Sequence, residues 1–426
     1  VGSTFITGGD VRLTTPQFLE ALIEGLSENG VNVIHPGVVP TPMVYFAKRF
    51  FQADGCAMVT ASHSPPDYNG LKWMIGEYPP GEEEVQALRR FAQEENHQAS
   101  GNGRGTLQAM DILLEYRRWL VERFRRSGKR VDLSIIVDPG NGCWAGLAAN
   151  LLKEIFPACR VESIHDRPDG RFQERNPDSA KPEYLTRLAQ VVKDRKADVG
   201  IAFDGDGDRV SFMDSEGVCL SAEQTAWILL HGFGGFENEK FVYDLKSSSR
   251  LAEAVESLGG QALAERSGHA FIRTRMIREN ALFGAEISGH FFYRELHGGD
   301  DGLFTACFML GHLAQSGQSL SGWRKKVPPI FMTPDLRVPA TSDQQEAILL
   351  QVKELFSDLP QSYLDGVRID FPEGWVLVRK SVTAPELTFR FEGHSREDLH
   401  AIIARFHAQL PSLGDYFKKC SETIEI

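Results

Sequence analysis

The sequence predicts an α/β protein of several domains, three α/β units followed by a smaller α+β unit, and three observations carry that expectation. Short apolar runs alternate with stripes of 3.6-residue period along most of the chain, the signature of strands and helices taken in turn. The 426 residues, 42% hydrophobic and 24% charged, are enough for several cores, about three or four at roughly 150 residues per domain. After the turn-rich stretch "VPPIFMTPD" the alternation gives way to short strands between two helices.

Thr15 and Pro16 read as the N-cap and first residue of a helix carrying Phe18, Leu19, Leu22, Ile23 and Leu26, which stops near Gly30. A strand over 31–34, a helix over 43–51 and a buried strand over 56–59 follow. The plan returns with a strand over 133–137 ahead of "DPGNG", helices over 144–156 and 184–193, and a strand over 199–203. It returns again with strands over 241–245 and 282–287 and helices over 249–258 and 302–314, although no sequence repeat links these units. In the last part, strands over 367–370, 375–379 and 387–391 lie between helices over 344–356 and 397–410. The expected domains are therefore 1–112, 113–218, 219–332 and 333–426.

Composition narrows the function. The net charge is −12, from 58 acidic and 46 basic residues without a Lys/Arg block, which argues against a nucleic-acid partner and requires any anionic ligand to be met by local cations. Cys56, Cys143, Cys159, Cys219, Cys307 and Cys420 are scattered without a C-x-x-C, so neither zinc nor a disulfide framework is expected, and a reducing cytoplasm fits. No apolar run approaches the roughly 20 residues of a membrane span, and the start lacks the plan of a signal peptide. The chain opens at Val1 without methionine, which suggests a missing N-terminal piece.

Four stretches carry candidate chemistry. "TASHSPPDYNGLK" leaves a buried strand, and the loops at the carboxyl ends of such strands are where α/β proteins bind ligands. Ser62, His63 and Lys72 stand there, although alone each reads as a cap or a solvated side chain. "FDGDGDR" alternates Asp204, Asp206 and Asp208 with glycines before Arg209, so three carboxylates can converge on a hard cation, magnesium above all beside a phosphate. A calcium loop is excluded, because its sixth and twelfth positions would be Arg209 and Ser215 rather than glycine and glutamate. "GAEISGH" puts Glu286, Ser288 and His290 on alternate positions at a strand end, donors and acceptors suited to sugar hydroxyls. "RKSVTAP" offers Arg379, Ser381 and Thr383 on a turn as a phosphate clamp.

In this order, the four stretches resemble the α-D-phosphohexomutase family, and the resemblance spans nearly the whole chain. It implies three similar α/β domains with mixed, mostly parallel sheets and a C-terminal α+β domain around a central cleft. It also implies interconversion of hexose 1-phosphate and hexose 6-phosphate, of mannose or glucose, through a phosphoserine and a hexose 1,6-bisphosphate that also serves as activator. Ser62 would carry the phosphoryl group, and Ser62, Asp204, Asp206 and Asp208 would hold one magnesium ion per chain, with Arg209 beside them. His63 would flank the serine, Lys72 and His269 in "RSGHAFIR" would be alternatives for proton transfer, and Lys246 in "YDLKSSSRL" would contact substrate. The expected partners are a sugar phosphate and, at most, a second copy of the chain, with no membrane or nucleic acid. An amino-sugar phosphomutase and a non-catalytic sugar-phosphate-binding homologue are the alternatives. The chain departs from the family pattern at Ser64, where asparagine is usual, at Val382 and Ala384 in the clamp, and in lacking a "YDIRG"-like segment with its arginine and strand.

Overall fold

The computed structural model describes residues 2–94, 103–125, 132–381 and 385–413. They belong to two compact units: Val1–Tyr243 with Ala254–Leu263 and Gly268–Val327, and Asp244–Glu253 with Ala264–Ser267 and Pro328–Ile426.

The first sheet has the order β4-β3-β1-β2-β5, formed by β1 (Thr4–Gly9), β2 (Asn32–Val38), β3 (Gly55–Val59), β4 (Leu71–Ile75) and β5 (Leu107–Ala109). Its pairings are parallel except that between β3 and β4. Helices α1 (Thr15–Glu28), α2 (Thr41–Phe50) and α3 (Glu82–Ala92) belong to this part of the chain, and α4 (Leu113–Arg125) follows it. The sequence reading expects the N-terminal strand and its arginine to be missing, yet both are present: β1 is the middle strand, and Arg12 is buried just beyond its end. Its glycines hide it from propensity and explain its place: a Cβ on Gly8 would meet Val44 Cγ2 of α2 at 2.5 Å, and one on Gly9 would meet Thr15 Cγ2 of α1 at 2.4 Å. The N-cap of α1 is Thr14, one residue earlier than expected, because the Thr15 hydroxyl is committed to Asp10 Oδ1 at 2.7 Å.

The second sheet, β7-β6-β8-β9, comprises β6 (Ser134–Asp138), β7 (Arg160–Ser163), β8 (Val199–Phe203) and β9 (Val210–Asp214), again parallel but for its last hairpin. Helices α5 (Ala148–Ile155), α6 (Thr186–Arg195) and α7 (Ala222–Gly232) accompany it. The helix expected from residue 144 begins at Ala148, because Trp144 turns inward to donate from Nε1 to Gly207 O at 2.8 Å and Gly146 has φ +76°.

The third sheet, β11-β10-β12-β13-β14, comprises β10 (Lys240–Asp244), β11 (Gln261–Glu265), β12 (Phe283–Ala285), β13 (Phe291–Tyr293) and β14 (Gly299–Asp300), with α8 (Ser249–Ser257), α9 (His269–Glu279), α10 (Gly302–Ser316) and α11 (Leu320–Arg324). β10 and β12 are parallel, while β12–β13 and β13–β14 are antiparallel.

The last sheet differs in kind. β15 (Phe331–Met332), β16 (Leu336–Pro339), β17 (Gln361–Ser362), β18 (Val367–Phe371), β19 (Gly374–Lys380) and β20 (Glu386–Gly393) pair antiparallel, and β15 lies inside the stretch expected to be linker. Alternating inward residues of these strands, such as Val376, Val378, Phe389 and Phe391, share a core with Val352 of α12 (Ser342–Leu355) and Phe406 of α13 (Arg396–Gln409).

Candidate active site

The α/β sheets repeat one device: a parallel strand ends, a loop turns back, and the next strand pairs antiparallel. "TASHSPPDYNG" joins β3 to β4, "DGDGDR" joins β8 to β9, and "EISGH" joins β12 to β13. All three loops lie in the first compact unit.

Ser62 has φ +52°, a left-handed conformation that costs a non-glycine residue about 1 kcal/mol or more and must be held by its surroundings. The holder is Arg12, fully buried beyond the end of β1. Its Nη2 donates to Ser62 O at 2.8 Å and Ser64 O at 2.7 Å, its Nη1 to Pro65 O at 2.6 Å and Tyr68 O at 3.1 Å, and its Nε to Asp10 Oδ2 at 3.0 Å. Asp10 also accepts from Thr15 and Thr60, and the Thr60 hydroxyl accepts from Ser62 N at 2.8 Å. The Ser62 hydroxyl then points at Asp204 Oδ2, 2.8 Å away. His63 stands beside it, Nδ1 to Oγ 3.5 Å, with burial and the Arg209 charge pushing its pKa down to about 4.

Asp204, Asp206 and Asp208 are all buried, and each offers an oxygen within 4.8 Å of the others. Asp206 Oδ1 and Asp208 Oδ1 are buried with no hydrogen-bond partner among the described residues. An oxygen-only set with orphaned carboxylate atoms fits a hard divalent cation. Lys72, on β4, is the counter-charge, with Nζ 2.7 Å from Asp206 Oδ2 and 2.5 Å from Asp208 Oδ2. Burial works against its charge, but Asp206 and Asp208 outweigh it and hold its pKa well above the ordinary lysine range. Burial and the two neighbouring carboxylates push Asp204 up to about 8. Thr41, the first residue of α2, donates to Asp206 Oδ2 at 2.5 Å.

Glu286, Ser288 and His290 do not alternate on a strand as expected. β12 stops at Ala285 and they occupy a tight turn, closed by Glu286 N to His290 O at 3.0 Å, with Gly289 at φ +92°. Glycine suits that positive φ, and Gly289 N donates back to Glu286 O at 3.1 Å, so the segment turns instead of continuing the strand. Glu286 Oε2 and Ser288 Oγ are buried and unpartnered among the described residues. His290 accepts at Nε2 from Arg209 Nε at 2.9 Å and meets Asp300 Oδ2 at 2.5 Å through Nδ1. The other oxygen of Asp300 meets His269 Nε2 at 2.9 Å. Burial would raise the Asp300 pKa, but His269 and His290 hold it well below the usual carboxylate range.

In the second unit, Lys246 Nζ pairs with Asp335 Oδ2 at 2.8 Å, and Arg379 Nε lies 2.9 Å from Asp365 Oδ2. Arg379 is on β19 and Ser381 just beyond it, while Thr383, with Val382 and Ala384, lies outside the described residues. Sequence reasoning missed Asp10, Arg12, Thr41 and Asp300. "GGDVR" carried a signal, a D-x-R pair closing a glycine-interrupted apolar run; Asp300 carried none, since its role rests on two histidines 10 and 31 residues away.

The chain matches the Phosphoglucomutase/phosphomannomutase family in all its parts: alpha/beta/alpha domain I over residues 2–99, domain II over 115–217, domain III over 221–331 and the C-terminal domain over 336–409. It is 34% identical to the phosphomannomutase/phosphoglucomutase of Pseudomonas aeruginosa, over 95% of this chain and 87% of that protein. It is 33% identical to the phosphoglucomutase of Neisseria gonorrhoeae, over 95% and 88% of the two chains. The crystal structure of a phosphoglucomutase/phosphomannomutase family protein from Burkholderia thailandensis superposes with a TM-score of 0.84 at 29% identity, covering 96% of this chain and 89% of the other. With its serine loop, its buried aspartates and its four matched domains, the chain belongs to the phosphoglucomutase/phosphomannomutase family, the α-D-phosphohexomutases.

Proposed function

We propose that the chain interconverts the 1-phosphate and 6-phosphate of a hexose, glucose or mannose, by lending a phosphoryl group from Ser62 and taking one back. The observation that carries this reading is the Ser62 hydroxyl, fixed by Arg12 and aimed at Asp204 within a cluster of buried carboxylates. In the first half-reaction a sugar hydroxyl attacks the phosphorus of phosphorylated Ser62, the bond to Oγ breaks, and a hexose 1,6-bisphosphate forms. In the second, Ser62 Oγ attacks the other phosphate and the isomeric monophosphate leaves. Asp204, Asp206 and Asp208, with the serine phosphate, are the residues that would hold magnesium, which when bound offsets charge on the transferring group. Arg209 and Lys72 supply fixed positive charge at the same place.

The attacking hydroxyl must lose a proton. Lys72 is committed to two carboxylates and both ring nitrogens of His290 are engaged, which favours Asp300-backed His269 as acceptor. Glu286 and Ser288 have atoms unpartnered among the described residues that would meet sugar hydroxyls, and Arg379, Ser381 and Thr383 would hold the phosphate not in transfer. Domains at 1–112, 113–218, 219–332 and 333–426 would each contribute one of these loops. A cytoplasmic location accords with this substrate, and no helix among the described residues is long and apolar enough to cross a membrane.

The test is mass spectrometry of the purified protein with a coupled assay on glucose 1-phosphate and mannose 1-phosphate. One phosphate on Ser62 and turnover of either sugar are expected; no Ser62 phosphate after incubation with glucose 1,6-bisphosphate overturns the reading.

A further inference from the structure

Helices α2 and α9 both start at the active site, with Thr41 on Asp206 and His269 on Asp300. Eight residues along α2, about 12 Å at 1.5 Å per residue, Lys48 and Arg49 border a separate cavity of about 280 Å³ that also receives Arg273, Arg294 and His297. Glu77 is its acidic lining residue. Such a concentration of cations stands out in a chain of net charge −12.

Part of this charge has a structural explanation. Lys48 and Arg49 sit in the last turn of α2, where cations offset the helix dipole. Arg273 lies over the Tyr45 ring, its Cζ 4.2 Å from the centroid, and Arg294 pairs with Glu239. What remains is unexplained by these contacts. Arg273 is only 3% exposed, and its Nε, with those of Arg49 and Arg294, is buried without a hydrogen-bond partner among the described residues. A ring face satisfies none of the in-plane N–H groups, and a buried Nε–H left without an acceptor is costly. Burial and the adjacent Arg273 also depress the Arg49 pKa. Tyr45 divides this cavity from the catalytic residues, stacking on His269 at 6.5 Å.

We propose that the cavity is a binding site for a small multivalent oxyanion, a phosphate group either free or carried on a metabolite, held by Arg49 and Arg273 as planar forks with Lys48 at the rim. Several donors converging on one lining carboxylate, Glu77, with Glu239 taken up by Arg294 and Glu295 acting on Arg49 from nearby, suit phosphate recognition, and the cavity admits a group of that size. The site is independent of the mutase reading, since none of its cations touches Ser62 or the aspartates.

Isothermal titration of the full chain with pyrophosphate, at fixed ionic strength and with saturating glucose 1-phosphate, tests this. One site is expected, its Kd weakened at least about tenfold by Arg273→Gln and by the double change Lys48→Gln, Arg49→Gln, and unaffected by Arg379→Lys. The rim variant keeps the test intact if the buried Arg273→Gln fails to fold. A parallel titration with glycerol 3-phosphate separates free phosphate from phosphate ester as the preferred form. Binding that glucose 1-phosphate displaces, or a Kd unmoved by the rim variant, places the anion elsewhere and overturns the proposal, as does the absence of binding at millimolar pyrophosphate.

Discussion

Arg12 Nη2 donates 2.8 Å to the carbonyl of Ser62, fifty residues away, and the same guanidinium ties down Ser64, Pro65 and Tyr68. One buried side chain thus sets the backbone of the phosphate-lending loop. Arg12→Met would leave buried Asp10 without its counter-charge, a loss of roughly 3–5 kcal/mol; Arg12→Lys, which cannot span four carbonyls, is expected to retain more stability yet lose most turnover. Urea denaturation with initial rates checks both; a normal rate in Arg12→Lys removes the positioning role.

Ser62→Ala and Ser62→Gly both delete the hydroxyl, so both should abolish turnover. They differ in backbone freedom. At φ +52° alanine is strained and glycine is not, so the glycine variant should be the more stable by roughly 0.5–1 kcal/mol. Equal unfolding midpoints would mean the loop relaxes out of the left-handed conformation.

Asp206 joins Thr41, Lys72 and an orphaned oxygen in one carboxylate. Asp206→Asn is expected to lower kcat on the order of a hundredfold while the monophosphate Kd changes less than about threefold. Chelation of divalent cations should reproduce this without removing phosphate from Ser62. Equal losses in rate and affinity would assign the aspartates to structure alone.

Asp301 caps α10 by accepting from Phe304 N at 2.9 Å and receives the Tyr116 hydroxyl at 2.7 Å. Burial pushes its pKa up from 3.8 to about 7, so the folded chain holds a proton there that the unfolded chain releases. Its contribution to stability is complete below about pH 3.8 and declines as pH rises toward 7. Asp301→Asn, which keeps a capping oxygen, should make the fall in Tm between those pH values shallower. An unchanged pH slope would show that Asp301 is ionised throughout.

Arg379 lies beside Asp365, its Nε without a hydrogen-bond partner among the described residues, the arrangement of a fork held ready for an anion. Arg379→Lys should raise KM about tenfold for the 1-phosphate and the 6-phosphate alike, since each uses the clamp in one half-cycle, with Ser62 phosphate unchanged. A loss confined to one isomer would end the shared-clamp reading.

Much of this protein is legible locally. The strand at 199–203 and the helices at 249–257 and 302–316 follow from short apolar runs and 3.6-residue stripes, and the Asp-Gly alternation announces a carboxylate turn, because these signals lie within a few neighbours. β1 was not legible: its glycines suit the close approach of α1 and α2, a need that exists only once those helices pack.

Chemistry divides the same way. Residue type and order marked Ser62 and the aspartates, since a hydroxyl at a strand end and alternating carboxylates are unusual in themselves. The charge state of Lys72, the turn that replaces the strand at Glu286 to His290, and the Asp300 link between His269 and His290 arise from groups brought together across long separations. Ionisation and hydrogen bonding depend on which charges and carbonyls lie within a few ångströms, and only the packing of β1, β4, β8 and β14 sets that distance.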